Sequence, residues 1–70
     1  MTNVVAVMAG NVWKVLVKPG DQVEDGQDVV ILESMKMEIP IAADFCGMVK
    51  EVKINEGDFV NEDDVLIVLE

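Results

Sequence analysis

Chemistry at a protein surface needs a nucleophile with a base, paired acids, or a cluster of metal ligands, and this 70-residue sequence is poor in all of them. It has no His and no Tyr, its only hydroxyl side chains are Thr2 and Ser34, and its one thiol, Cys46, has no imidazole to activate it. Carboxylates are plentiful, but scattered over an acidic chain they read as solvated surface. Asp21-Gln22-Val23-Glu24-Asp25-Gly26 opens like a calcium loop with Gly in sixth place. It then puts Val23 at the third ligand position and Leu32 at the twelfth, where oxygen donors are required. Neither a metal site nor an independent enzyme is expected. What remains is Ser34-Met35-Lys36-Met37, at the midpoint of the chain. A single lysine is ordinarily a solvated charge, and methionine ordinarily fills gaps in cores. Two thioethers flanking one amine are not accounted for by packing, and the group suits an amine presented to an outside partner.

The elements that must hold Lys36 in place follow from an internal repeat, the first thing to seek in a sequence. At an offset of 37 residues the two halves match without a gap. Gly10-x-Val12-x-x-Val15-x-Val17-x-x-Gly20-Asp21-x-Val23 returns as Gly47-x-Val49-x-x-Val52-x-Ile54-x-x-Gly57-Asp58-x-Val60. Val29-x-x-Leu32-Glu33 returns as Val/Leu-type residues at Leu66-x-x-Leu69-Glu70. The recurring residues are apolar at core-like spacings or glycine at turn-like spacings. Pro19-Gly20 suits the centre of a type II turn, Glu56-Gly57 can repeat it, and Gly26 is answered by Asp63.

Strands are predicted near 3–8, 12–18, 28–33, 37–41, 48–54 and 65–70, with short extended pieces at Val23 and Val60. A helix over Gln27–Ile39 is the strongest rival, because Val29, Leu32 and Met35 lie at helical spacing. The β-branched run Val29-Val30-Ile31-Leu32 and the period-two alternation of Met35, Met37, Ile39 and Ile41 favour strands. The fold class is therefore all-β: a flattened antiparallel barrel or sandwich of two pseudo-two-fold-related four-stranded halves, a single domain over residues 1–70. Val12, Val15, Val17, Val23, Leu32, Val49, Val52, Ile54, Val60 and Leu69 should fill it. The terminal strands should meet at one end and the middle of the sequence should turn at the other.

That middle turn breaks local rules, since a tight hairpin wants positive φ and offers here only Met and Lys. A sequence that breaks a rule it keeps elsewhere marks a candidate for function. Glu33-Ser34-Met35-Lys36-Met37-Glu38 resembles the attachment motif of the biotinyl/lipoyl attachment domains, whose usual core is Ala-Met-Lys-Met. The glycine pattern is similar to theirs over nearly the whole chain, which closely resembles the small free-standing bacterial members and the biotin carboxyl carrier domain. Departures lie in loops: Ser34 stands where Ala is usual, Val7 and Asp44 or Phe45 where Pro is frequent, Asp63 where Gly is usual, and no protruding "thumb" is inserted.

The resemblance implies a barrel-sandwich hybrid in which a biotin protein ligase attaches biotin to Lys36, with Met35 and Met37 as flanking recognition residues. It further implies a carrier, with no catalytic residues of its own, that shuttles carboxyl groups between biotin carboxylase and carboxyltransferase sites. Lipoate on the same lysine is the alternative, although lipoyl domains typically have Asp-Lys-Ala. An unmodified interaction module is a third reading. Fourteen acidic against five basic residues give a net charge of −9, which disfavours nucleic acid and anionic membranes as partners. The N-terminal residues lack a basic leader and no apolar run approaches the roughly 18 residues of a membrane helix. One unpaired cysteine suits a reducing compartment. The expectation is a cytoplasmic monomer.

Overall fold

The computed structural model describes residues 2–70 and contains strands without helix among them. In chain order these are β1 (Thr2–Val5), β2 (Gly10–Val15), β3 (Gln22–Val23), β4 (Asp28–Ser34), β5 (Met37–Ala42), β6 (Gly47–Val52), β7 (Phe59–Val60) and β8 (Val65–Leu69). They form two four-stranded antiparallel sheets, ordered β1-β8-β6-β3 and β5-β4-β2-β7. Gln27–Ile39, the rival helix, is the β4–β5 hairpin. Shifting β1 to β4 by one repeat gives β5 to β8, and the same shift converts one sheet order into the other. The repeats are not the sheets, however. Each sheet takes two strands from either repeat, so neither half can bury its apolar face without the other.

The exchange happens where the predicted strands proved too long. After Val15 and Val52 the chain leaves its ladder, and Gly20 donates to Val49 O while Gly57 donates to Val12 O, each at 2.8–2.9 Å across to the other sheet. Val17 and Ile54 nevertheless stay buried. The alternation that extended the strands to 18 and 54 is real, but it belongs to a crossover. Likewise β1 ends at Val5, and Ala6 is held outside the ladder by bonds with Asp63 and Asp64.

Four tight turns make these reversals, and each is closed from both sides. Asp21 and Asp58 N–H groups donate to Lys18 and Asn55 O at 3.0 Å, while their own carboxylates accept from the Lys18 and Asn55 N–H groups at 2.9 Å. Gln27 and Asp64 repeat the arrangement on Glu24 and Asn61. Gly20 and Gly57, at φ 95° and 97°, take the left-handed position expected of them. Asp63 does so at φ 72°, opposite Gly26 at 88°, so the Gly-to-Asp departure leaves the turn intact. Gly10 and Gly47 serve a different purpose from the turn role suggested by their spacing. They open β2 and β6, where a Cβ would lie 3.0 Å from Glu33 O and 2.7 Å from Glu70 O respectively.

The expected core residues are buried except Val15 and Val52, which are half-buried against it. Val29, Val30, Leu66 and Ile67 join them, fully enclosed. A bulge in each of β4 and β8 explains these neighbouring pairs: the register skips Val29 against β5 and Leu66 against β1, which turns two consecutive side chains inward. No charged or polar side chain is buried among the described residues.

Candidate functional site

The β4–β5 hairpin is the longest ladder in the molecule, running from Asp28 opposite Ala42 to Ser34 opposite Met37. Leu32 and Ile41 anchor its inner face in the core, and Ile39 packs against that core half-buried. Beyond the Ser34–Met37 pair only Met35 and Lys36 remain to reverse the chain. Both adopt positive φ, 52° and 67°, as a two-residue type I′ turn requires. This is the conformation that suits Asn-Gly, and neither residue present has that excuse. Left-handed geometry costs a non-glycine residue about 1–2 kcal/mol, so the tip holds on the order of 2–4 kcal/mol of local strain that the ladder behind it must sustain.

That strain is not offset by packing of the turn side chains. Met35 is 91% exposed and Met37 64%, and Lys36 is exposed between them. Lys36 makes no ion pair or hydrogen bond among the described residues, although Glu33 and Glu38 face each other one step below the turn. Gly10 lies under this tip, its missing Cβ leaving room for Glu33 O and the Ser34 side chain at 3.5 Å. Its part in positioning the tip was not legible locally; the signal was its recurrence as Gly47. The structure thus brings the three predicted residues together at one apex. A primary amine without an ion pair among the described residues, on a two-stranded arm between two soft apolar side chains, suits acylation by an enzyme that closes around the tip.

No cluster of His, Cys, Asp or Glu among the described residues could hold a metal ion. A shallow surface groove lined by Asn3, Lys50, Glu51, Lys53, Val65 and Val68 lies on the other sheet. Lys14 sits over the Trp13 ring at 5.5 Å and Lys53 pairs with Glu51 at 3.2 Å, so these amines are engaged where Lys36 is not.

Residues 2–69 match the family model described as "Biotin-requiring enzyme". The chain is 74% identical over 62 residues to the "Biotin/lipoyl attachment protein" of Bacillus subtilis, covering 89% of this chain and 85% of that protein. It is 46% identical over 63 residues to the human mitochondrial propionyl-CoA carboxylase alpha chain, covering 90% of this chain and 9% of that one. Among solved structures, the urea carboxylase of Kluyveromyces lactis contains a region that superposes with a TM-score of 0.91 at 32% identity, covering 99% of this chain and 6% of that enzyme.

Proposed function

The chain belongs to the biotin/lipoyl family of biotin-requiring enzymes, and from that premise we propose that Lys36 Nζ is the atom that carries the cofactor. It is a carrier domain of the biotin type, homologous to the carboxyl carrier domains of carboxylases, with a non-catalytic role in such systems. The observation that carries the assignment of Lys36 is the strained apex: two left-handed non-glycine residues place this amine, alone among the described lysines, at the end of a two-stranded arm. When bound, biotin supplies the transferable carboxyl position, and the chain supplies reach and orientation.

A biotin protein ligase would first use ATP to convert the biotin carboxylate to its acyl adenylate, releasing pyrophosphate; Lys36 Nζ would then attack the acyl carbon, forming the amide as the bond to AMP breaks and AMP leaves, with the proton lost from the amine passing to the ligase, since this chain has no imidazole beside the lysine to take it. Met35 and Met37 would meet the ligase surface, and the buried Leu32 and Ile41 keep the arm from yielding. Association with biotin carboxylase and carboxyltransferase follows from homology to the carboxylases. In that setting a tethered group reaches an effective concentration of around millimolar at both sites if the arm can span them. We further propose a cytoplasmic monomer, in keeping with the lone exposed Cys46 and the small acidic surface.

Incubation with biotin ligase, biotin and ATP, followed by intact mass and peptide mapping, tests this. One biotin on Lys36 is expected. Unlabelled protein, or label on Lys14, Lys18, Lys50 or Lys53, would overturn it.

A further inference from the structure

The methionines are unevenly placed with respect to solvent. Among the described residues they are Met8, Met35, Met37 and Met48. Met8 is half-buried in the β1–β2 connection. Met48 is 42% exposed on β6, where it pairs with Gln22 on the sheet that does not carry the tip. Met35 and Met37 are 91% and 64% exposed. The two most accessible thioethers therefore flank Lys36, one within the turn and one in the pair that closes it opposite Ser34.

A thioether is an apolar group that a peroxide converts into a polar one. A sulfur lone pair attacks one peroxide oxygen, and the S–O bond forms as the O–O bond breaks. The departing hydroxide takes the proton from the transferred oxygen and leaves as water, so sulfur loses two electrons and the peroxide gains them. Inside a core the resulting sulfoxide would disrupt packing. At the tip it disrupts none, since neither Met35 nor Met37 belongs to the core. The left-handed backbone at Met35 and Lys36 is sustained by the β4–β5 ladder and not by these side chains. Fold and attachment are thus separable here. The oxidation that spares stability puts S=O dipoles on the surface that a ligase must desolvate to close on Lys36 Nζ.

We propose that Met35 and Met37 form a reversible oxidation site, at which hydrogen peroxide converts the thioethers to sulfoxides and withholds Lys36 from the biotin ligase while the domain stays folded. The inference rests on the reading of Lys36 as the carrier residue and of its flanking methionines as ligase contacts. Reversal needs methionine sulfoxide reductases, one for each sulfoxide epimer, with a pair of thiols as reductant: the oxygen leaves as water and the thiols become a disulfide. Cys46 does not duplicate the device. It is exposed, but it follows the end of β5 remote from the turn.

The test uses the unmodified domain with Cys46 capped by N-ethylmaleimide. Samples are treated with graded hydrogen peroxide, quenched with catalase before ligase, biotin and ATP are added, and compared by peptide mapping, melting temperature and rate of biotinylation. Met35 and Met37 should gain oxygen before Met8 and Met48, with the melting temperature moving by no more than about 3 °C. Biotinylation should slow about tenfold or more, and treatment with both reductases should restore it. Met35→Leu with Met37→Leu, measured against its own untreated sample, should keep its rate through the same peroxide treatment. Oxygen on Met8 or Met48 ahead of the tip would overturn the proposal. So would an unchanged rate with the tip oxidised, a rate loss that follows a collapse in melting temperature, or an equal loss in the leucine variant. Should that variant take no biotin even untreated, the reductase arm decides alone, and a rate that the reductases fail to restore overturns the proposal. An oxidised tip that labels at full rate removes this inference and leaves Lys36 as carrier, whereas an untreated parent with no biotin on Lys36 removes both.

Discussion

Lys36 contributes an amine and almost nothing to the core, because its side chain is exposed and unpaired at the apex of the turn. Lys36→Ala should therefore abolish biotin labelling while shifting stability by no more than about 0.5 kcal/mol, which mass spectrometry and a thermal melt would record. The backbone at that position would remain left-handed and equally strained, so the variant isolates the amine. The neighbouring methionines bear on which cofactor is chosen. A ligase pocket shaped for a thioether would have to desolvate a carboxylate to accept Met35→Asp, a penalty of about 1–3 kcal/mol or roughly ten- to hundredfold in relative rate. Met35→Asp with Met37→Ala should weaken biotinylation and improve lipoylation at the same lysine. Side-by-side rates with the two ligases would show it, and an unchanged preference would deprive the methionines of that role.

The hairpin shows how an element can hold a residue that its own turn disfavours. Six register pairs between β4 and β5, with Leu32 and Ile41 sealed below, sustain two left-handed residues that have no packing of their own. Replacing Met35-Lys36 by Asn-Gly supplies the residues a type I′ turn prefers and loses no buried surface. The double variant should gain about 1–2 kcal/mol, equivalent to roughly 4–8 °C per kcal/mol in melting temperature for a domain of this size, while losing all labelling. A melting temperature that falls would mean the methionine and lysine stabilise the turn in some way that their exposure does not reveal. The crossover turns obey the opposite logic, since each uses side chains suited to it and closes its bonds in both directions.

Across the whole molecule, stability is shared by two sheets that are built from both repeats. Leu32 and Leu69 occupy equivalent positions and are both essentially inaccessible. Truncating either to Ala should cost about 2–5 kcal/mol, a large share of the 5–15 kcal/mol typical of a domain. Because the pseudo-two-fold relates their surroundings, the two costs should agree to within a factor of two by urea denaturation. A wide disparity would show that the symmetry is geometric without being energetic. The surface divides differently, with a groove lined by Lys50, Glu51 and Lys53 on one sheet and exposed aromatic side chains on the other. Symmetry of the core and asymmetry of the faces are compatible because only the inward positions must satisfy close packing.

The sequence by itself determined the repeat, the all-strand class, the turns at Gly20 and Gly57, most of the core, and the singular character of Met35-Lys36-Met37. These are legible because apolar spacing, glycine in left-handed turns and a misplaced residue type are local properties. Tertiary structure decided which strand joined which sheet, because β2 and β6 carry the same alternation on either side of a crossover that local pattern cannot distinguish from continued strand. It also decided the burial of Val29 with Val30 and Leu66 with Ile67, since a bulge overturns strict alternation and depends on the partner's register. Gly10 and Gly47 changed meaning for the same reason: the carbonyls that exclude their Cβ atoms come from Glu33 and Glu70, distant in sequence and adjacent only once the sheets have formed.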